Sequence, residues 1–216
     1  MYKFLFFIAC FSAISLQGQK NIYESPKFDA LSSSHKTLAI LPFLTNLDLK
    51  NKVSAADLKS LEEKEGYAVQ DALETYFSKR GKKKKLPVEF QNTKNTKAIL
   101  SQKGVDYKNI DVYTMKQLSE MLGVDGIISG TLDLNVLLSN GVSTDFSFTD
   151  YFSGNADYGR IGVKISDGNT GKLLWKYEKE INKKTGKNTT DLIDRMMKLA
   201  IRKFPYERER KKDRKN

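Results

Sequence analysis

The sequence predicts an α/β (α+β) domain: a mixed, largely antiparallel sheet of about five strands, with three or four helices packed mainly on one face. Three observations predict it. The run Thr37-Leu38-Ala39-Ile40-Leu41-Pro42-Phe43 is apolar at successive positions, as in a strand buried on both faces. Stripes at helical spacing alternate along the chain with runs of strand spacing. The turn Asp167-Gly168-Asn169-Thr170-Gly171 separates two alternating runs and closes a hairpin.

The chain opens with Lys3 and an apolar run, Phe4 to Leu16, broken only by Ser12 and Ser15, and then Gln17, Gly18 and Gln19. A positive end, a greasy middle and a small residue at the cleavage point form a secretory signal peptide over 1–18. The run is short for a membrane span, which needs roughly 20 apolar residues. The mature chain is therefore expected to be exported, periplasmic or outer-membrane-associated in a Gram-negative bacterium. Cys10, the only cysteine, lies inside this leader. Lipidation at Cys10, directly after Ala9, is the alternative, and it would leave only Met1 to Ala9 as leader. Residues 19–36 are polar, carry Ser32-Ser33-Ser34 and hold no sustained period, so they read as a tether. A single domain is expected over 37–205, followed by a basic disordered tail over 206–216.

Within the domain, Pro42 marks the end of the first strand, and Leu44 to Val53 reads as a loop. Ser54 caps a helix from Ala55, with Asp57 in its first turn. Leu58 and Leu61 begin its stripe, Gly66 interrupts it, and Val69, Leu73, Tyr76 and Phe77 resume it. Gly81, after Lys79 and Arg80, suits the C-terminal cap. Leu86 to Gln91 reads as a strand interrupted at Pro87, and Thr93 to Lys103 as a helix ended by Gly104.

Thr114 caps the next helix, Met115, Leu118, Met121 and Leu122 form its stripe, and Gly123 stops it. In the strand that follows, Ile128, Leu132, Leu134, Val136 and Leu138 alternate with Ser129, Thr131, Asp133 and Asn135. After a polar, aromatic loop over 139–159 comes the hairpin, with Ile161, Val163 and Ile165 on its first run and Leu173, Trp175, Tyr177 and Ile181 on the returning one. Thr189 or Thr190 caps a last helix, whose apolar side runs from Leu192 to Phe204 before Pro205 ends it.

The net charge is +11, concentrated in Lys79, Arg80 and Lys82 to Lys85 and in the tail. Such blocks read as a solvated turn and tail. In an envelope, nucleic acid is not the expected partner, while peripheral contact with anionic lipid or glycan stays open. His35 is the only histidine and falls in the expected tether. With no cysteine outside the leader, a Ser/His or Cys/His nucleophile pair and a zinc site lack their residues. No catalytic, cofactor-binding or metal-ligating residues are assigned. Asp145, Asp150 and Asp157 read as solvated turn carboxylates, which leaves a carboxylate-dependent enzyme as a remote alternative. The candidate partner-contact residues are Phe146, Phe148, Tyr151, Phe152 and Tyr158, aromatics set among glycines and polar residues in a long loop.

Three segments carry a resemblance: KTLAILPF at Lys36 to Phe43, LGVDGIISGTL at Leu122 to Leu132, and DGNTGKLLWKYE at Asp167 to Glu178 followed by a helix. Together they resemble the exported α/β domain of the curli-export lipoproteins, the penicillin-binding-protein activator lipoproteins and the N-terminal domain of TolB. The resemblance implies a non-enzymatic envelope accessory protein that binds or regulates assembly or secretion machinery through an envelope protein partner. Homo-oligomerisation stays open, and the alternative reading is a subunit of an outer-membrane secretion or transport complex.

Overall fold

The structure is a computed structural model and describes residues 22–49, 53–83, 86–138, 157–182, 188–200 and 204–206. In chain order the elements are β1 (Ile22–Glu24), α1 (Phe28–Ser32), β2 (Thr37–Ile40), β3 (Leu44–Leu47), α2 (Ala55–Lys83), β4 (Glu89–Phe90), α3 (Thr93–Gln102), a 3-10 turn (Ile110–Val112), α4 (Met115–Leu122), β5 (Gly126–Leu134), β6 (Asp157–Asp167), β7 (Leu173–Asn182) and α5 (Thr189–Ala200).

One mixed, seven-stranded sheet runs in the order β1-β7-β6-β5-β2-β4, and β3 also pairs with β5. This is the predicted fold class. The long antiparallel ladders β5/β6 and β6/β7 dominate it, and the hairpin turn falls where the sequence places it. The parallel pairs are shorter. β2 lies beside the first half of β5, from Leu38↔Gly126 to Ile40↔Ile128, and β3 lies beside the second half, from Leu44↔Thr131 to Leu47↔Leu134. One side of β5 is thus served by two short strands in series, divided at Pro42, which has no N–H to give a ladder.

β2 alternates between two buried faces. Leu38 and Ile40 join the larger core with Phe28 of α1, Val69, Leu73 and Phe77 of α2, Trp175 of β7, and Ile193 of α5. Ala39 and Leu41 join a second core with Leu100 of α3, Leu118 and Leu122 of α4, and Ile127 of β5. Helices expected mainly on one face therefore divide between both. The parallel half of the sheet requires this, since its strands are apolar on both sides. Beyond Ile128 the pattern becomes one-sided: Leu132 and Leu134 are buried while Thr131 and Asp133 are exposed.

Several expectations change. The polar tether of 19–36 is largely structured from Ile22 onward. β1 pairs with β7 through Ile22↔Tyr177 and Glu24↔Trp175, and Phe28 enters the core at 2% exposure. Elements of three and five residues are too short to show a period. The expected loop after Pro42 holds β3. The second strand shrinks to Glu89–Phe90, where Phe90 stacks on Phe77 with ring centroids 4.2 Å apart. α2 passes through Gly66 and Gly81 unbroken, so neither ends it. A Cβ at Gly66 would strike the Phe43 carbonyl oxygen and the Tyr107 ring, so the glycine permits close approach there. Asn188, not Thr189, caps α5: its Oδ1 accepts from the Asp191 amide at 2.9 Å. The β5 strand ends at Leu134, though Leu138 is still buried. Asp157 belongs to β6, paired with Asn182, and is not a turn residue.

The helix caps at Thr114 and Gly123 form as expected. Thr114 and Gln117 make a reciprocal capping box, and Gly123 closes α4 in the left-handed region at φ 65°. Among the described residues no helix is long and apolar enough to cross a membrane.

Candidate functional site

The aromatic partner-contact candidates cannot be placed side by side. Phe146, Phe148, Tyr151 and Phe152 lie outside the described residues, as do Asp145 and Asp150, and Tyr158 is described only as a backbone position in β6. Two other constellations are resolved, one closed and one open.

The closed one gathers around His35, which belongs to the buried interior and not to a peripheral tether; its side chain is fully buried. Nε2 meets Asp167 Oδ1 at 3.0 Å, and Nδ1 meets the Tyr206 hydroxyl at 2.6 Å. The other Asp167 oxygen accepts from the Thr170 amide at 2.7 Å and its hydroxyl at 2.5 Å. Asp167 ends β6 at the hairpin turn, and Tyr206 follows α5. Burial pushes the Asp167 carboxyl up, but the Thr170 and His35 hydrogen bonds outweigh it and hold the group below its ordinary value of 3.8. Next to it, Asp125 Oδ2 accepts from the Lys36 and Thr37 amides, both at 2.8 Å. Its carboxyl is likewise lowered, with burial opposed and exceeded by those two amides. With both ring nitrogens engaged and no exposed face, this imidazole joins three chain segments. Among the described residues, no group of three His, Cys, Asp or Glu is placed to hold a metal ion.

The open constellation is a groove of about 690 Å³ beside β3. Its walls are Leu44 and Thr45 of β3, the first turns of α2 with Glu62 and Glu63, and the connection from α3 to α4 with Tyr107 and Asp111. In β3 the Asp48 amide, just past the strand, donates toward β5 at Leu134 O (2.8 Å). The alternate amides face away from β5 and are taken by side chains. Thr45 donates to the Tyr107 hydroxyl at 2.8 Å, and Leu47 donates to Glu62 Oε1 at 3.1 Å.

Tyr107 Oη in turn lies 3.1 Å from the Phe43 carbonyl oxygen and 3.2 Å from that of Glu62. A hydroxyl that accepts from an edge amide and donates to an edge carbonyl offers what a neighbouring strand would offer. Burial raises the Tyr107 phenol, and the carboxylates of Glu62 and Glu63 add to it against the opposing Thr45 bonds, so it stays protonated at neutral pH. Sequence reasoning missed both Tyr107 and Glu62. Tyr107 is a lone aromatic in the polar turn Asp106-Tyr107-Lys108, and that is the sole signal it leaves.

No protein-family model matches the chain, and no curated protein matches it either. Solved structures do. The C-terminal domain of LpoB from Salmonella enterica, a penicillin-binding-protein activator lipoprotein, is 10% identical, covering 73% of this chain and 94% of that one at a TM-score of 0.38. A lipoprotein from Neisseria meningitidis is 13% identical, covering 78% and 96% at a TM-score of 0.44. The PelC dodecamer from Paraburkholderia phytofirmans is 10% identical, covering 81% and 94% at a TM-score of 0.31. At TM-scores this low the likeness bears on neither fold detail nor function. The chain is thus similar to solved lipoprotein domains, including one from the activator class that the sequence resembles.

Proposed function

We propose that this chain is an exported, non-enzymatic accessory protein of the cell envelope, which binds or regulates assembly or secretion machinery through contacts with a protein partner. The observation that carries the reading is the use made of the single imidazole. His35 is committed on both nitrogens to a buried join between chain segments, and so it serves architecture. The apolar leader supports export, and the absence of cysteine beyond residue 10 leaves the mature chain to act through its shape and surface.

The test is affinity capture from envelope extract with the mature chain as bait, followed by identification of what is retained. Changing Phe148 and Tyr151 together to Ala is expected to weaken capture while leaving the melting temperature unchanged. Equal capture by wild type and variant would remove the aromatic loop from the reading, and catalytic turnover by the purified chain would overturn the reading itself.

A further inference from the structure

Two backbone donors on β3 face away from β5 and are satisfied by side chains alone. We propose that β3 is a docking edge for an extended, cationic segment of a protein partner, which adds as a strand in the groove and takes the Thr45 and Leu47 amides over from Tyr107 and Glu62. The proposal names a surface for the protein-contact reading and rests on it for the class of ligand.

Spacing comes first. The two amides are two residues apart, the repeat at which an added strand presents its carbonyls. Room comes second. The groove beside Thr45 holds about 690 Å³, within the roughly 300–1,000 Å³ of ligand clefts, and Glu62, which holds the Leu47 amide, is in its wall. Exchange comes third. Each amide leaves one acceptor for another, so no donor is stranded. The Phe43 carbonyl also keeps a partner when Tyr107 moves, because the Thr45 hydroxyl donates to it at 3.2 Å.

Charge selects the occupant. Releasing Glu62 from the Leu47 amide leaves Glu62, Glu63 and Asp111 as three carboxylates along the groove, against Lys59 and Lys108. Alternate side chains of an added strand face the same wall, so lysines or arginines at every second position meet those carboxylates. Leu44, 37% exposed, gives the segment an apolar contact at the head of the strand. The other edges, β1 and β4, are three and two residues long, shorter than the four of β3.

The test uses the full mature chain and a capped synthetic peptide, Lys-Thr-Lys-Val-Lys-Thr-Lys, with a second peptide carrying Glu at each Lys as control. Amide shifts and hydrogen exchange are read by NMR. The cationic peptide is expected to shift the Thr45 and Leu47 amides saturably and slow their exchange, and the acidic one to do neither. Tyr107→Phe keeps the ring and removes the competing acceptor, so binding should tighten about tenfold. Thr45→Pro deletes one donor at a position facing away from β5 and should weaken binding about tenfold, with folding checked by Trp175 fluorescence. Equal response to both peptides, unmoved β3 amides, or unchanged affinity in Tyr107→Phe would each overturn the proposal. Self-association of Tyr107→Phe that the peptide fails to reverse would do so too, by making a second copy the occupant. Envelope capture that succeeds while the peptide fails sinks the strand addition alone.

Discussion

Replacing His35 by Ala removes one ring and takes a hydrogen bond from each of two partners. Asp167 Oδ1 and the Tyr206 hydroxyl each lose a hydrogen bond, at positions 1% and 0% exposed. A hydrogen bond between neutral groups contributes about 0.5–1.5 kcal/mol and one to a charged group about 1.5–3 kcal/mol, so the two lost bonds cost about 2–4.5 kcal/mol before any cavity term. Asp167 keeps its Thr170 bonds, which places the expected loss near the middle of that range, about 3 kcal/mol. For a domain of this size about 2–4 °C of melting temperature goes with each kcal/mol, so the drop should be about 6–12 °C. Thermal unfolding followed by the fluorescence of Trp175, the only tryptophan and fully buried, measures it directly. The double variant with Asp167→Asn should fall short of the summed single effects by about 1 kcal/mol or more, because the two side chains share one bond. A drop below about 2 °C, or strict additivity, would refute the assignment of His35 as a structural join.

Two further outcomes follow from the same geometry. The Asp167 carboxyl is lowered in the fold, so its contribution is fully present above its ordinary value of 3.8 and is lost as pH falls through the lower folded value. Melting temperature should therefore fall in acid below about pH 4, and Asp167→Asn should flatten that limb of the profile. A Cβ at Gly130 would run into the Gly162 carbonyl oxygen and the Phe43 ring, so Gly130→Ala should cost about 1–3 kcal/mol, read as a lower denaturation midpoint in urea. An unchanged midpoint would show that β5 and β6 can separate there without penalty.

What the sequence disclosed depended on how many residues carried each signal. The hairpin of β6 and β7 was legible because Ile161, Val163 and Ile165 alternate with small or polar residues before a glycine-rich turn, and Leu173, Trp175 and Tyr177 stand at the same spacing after it. The α4 caps were legible because Thr114, Gln117 and Gly123 are local chemistry, decided within a few residues. β1 and α1 were hidden, since Ile22 and Phe28 are single anchors among polar neighbours and their partners lie on β7 and after α5. β3 was hidden for a related reason: Leu44-Thr45-Asn46-Leu47 has no strand alternation, and its pairing is dictated by β5, far along the chain. The helix distribution over both faces was implicit in the doubly apolar β2, yet the one-sided second half of β5 pointed the other way. The role of His35 was invisible, because the residues that fix it stand 132 and 171 positions away.

That separation has a consequence for the order of events in the life of the chain. A polypeptide made amino end first delivers His35 long before its partners, with Asp167 following 132 residues later and Tyr206 171 residues later. The ring they close waits until both have been made, so this fastening of the amino-terminal arm belongs to the long-range contacts that form late.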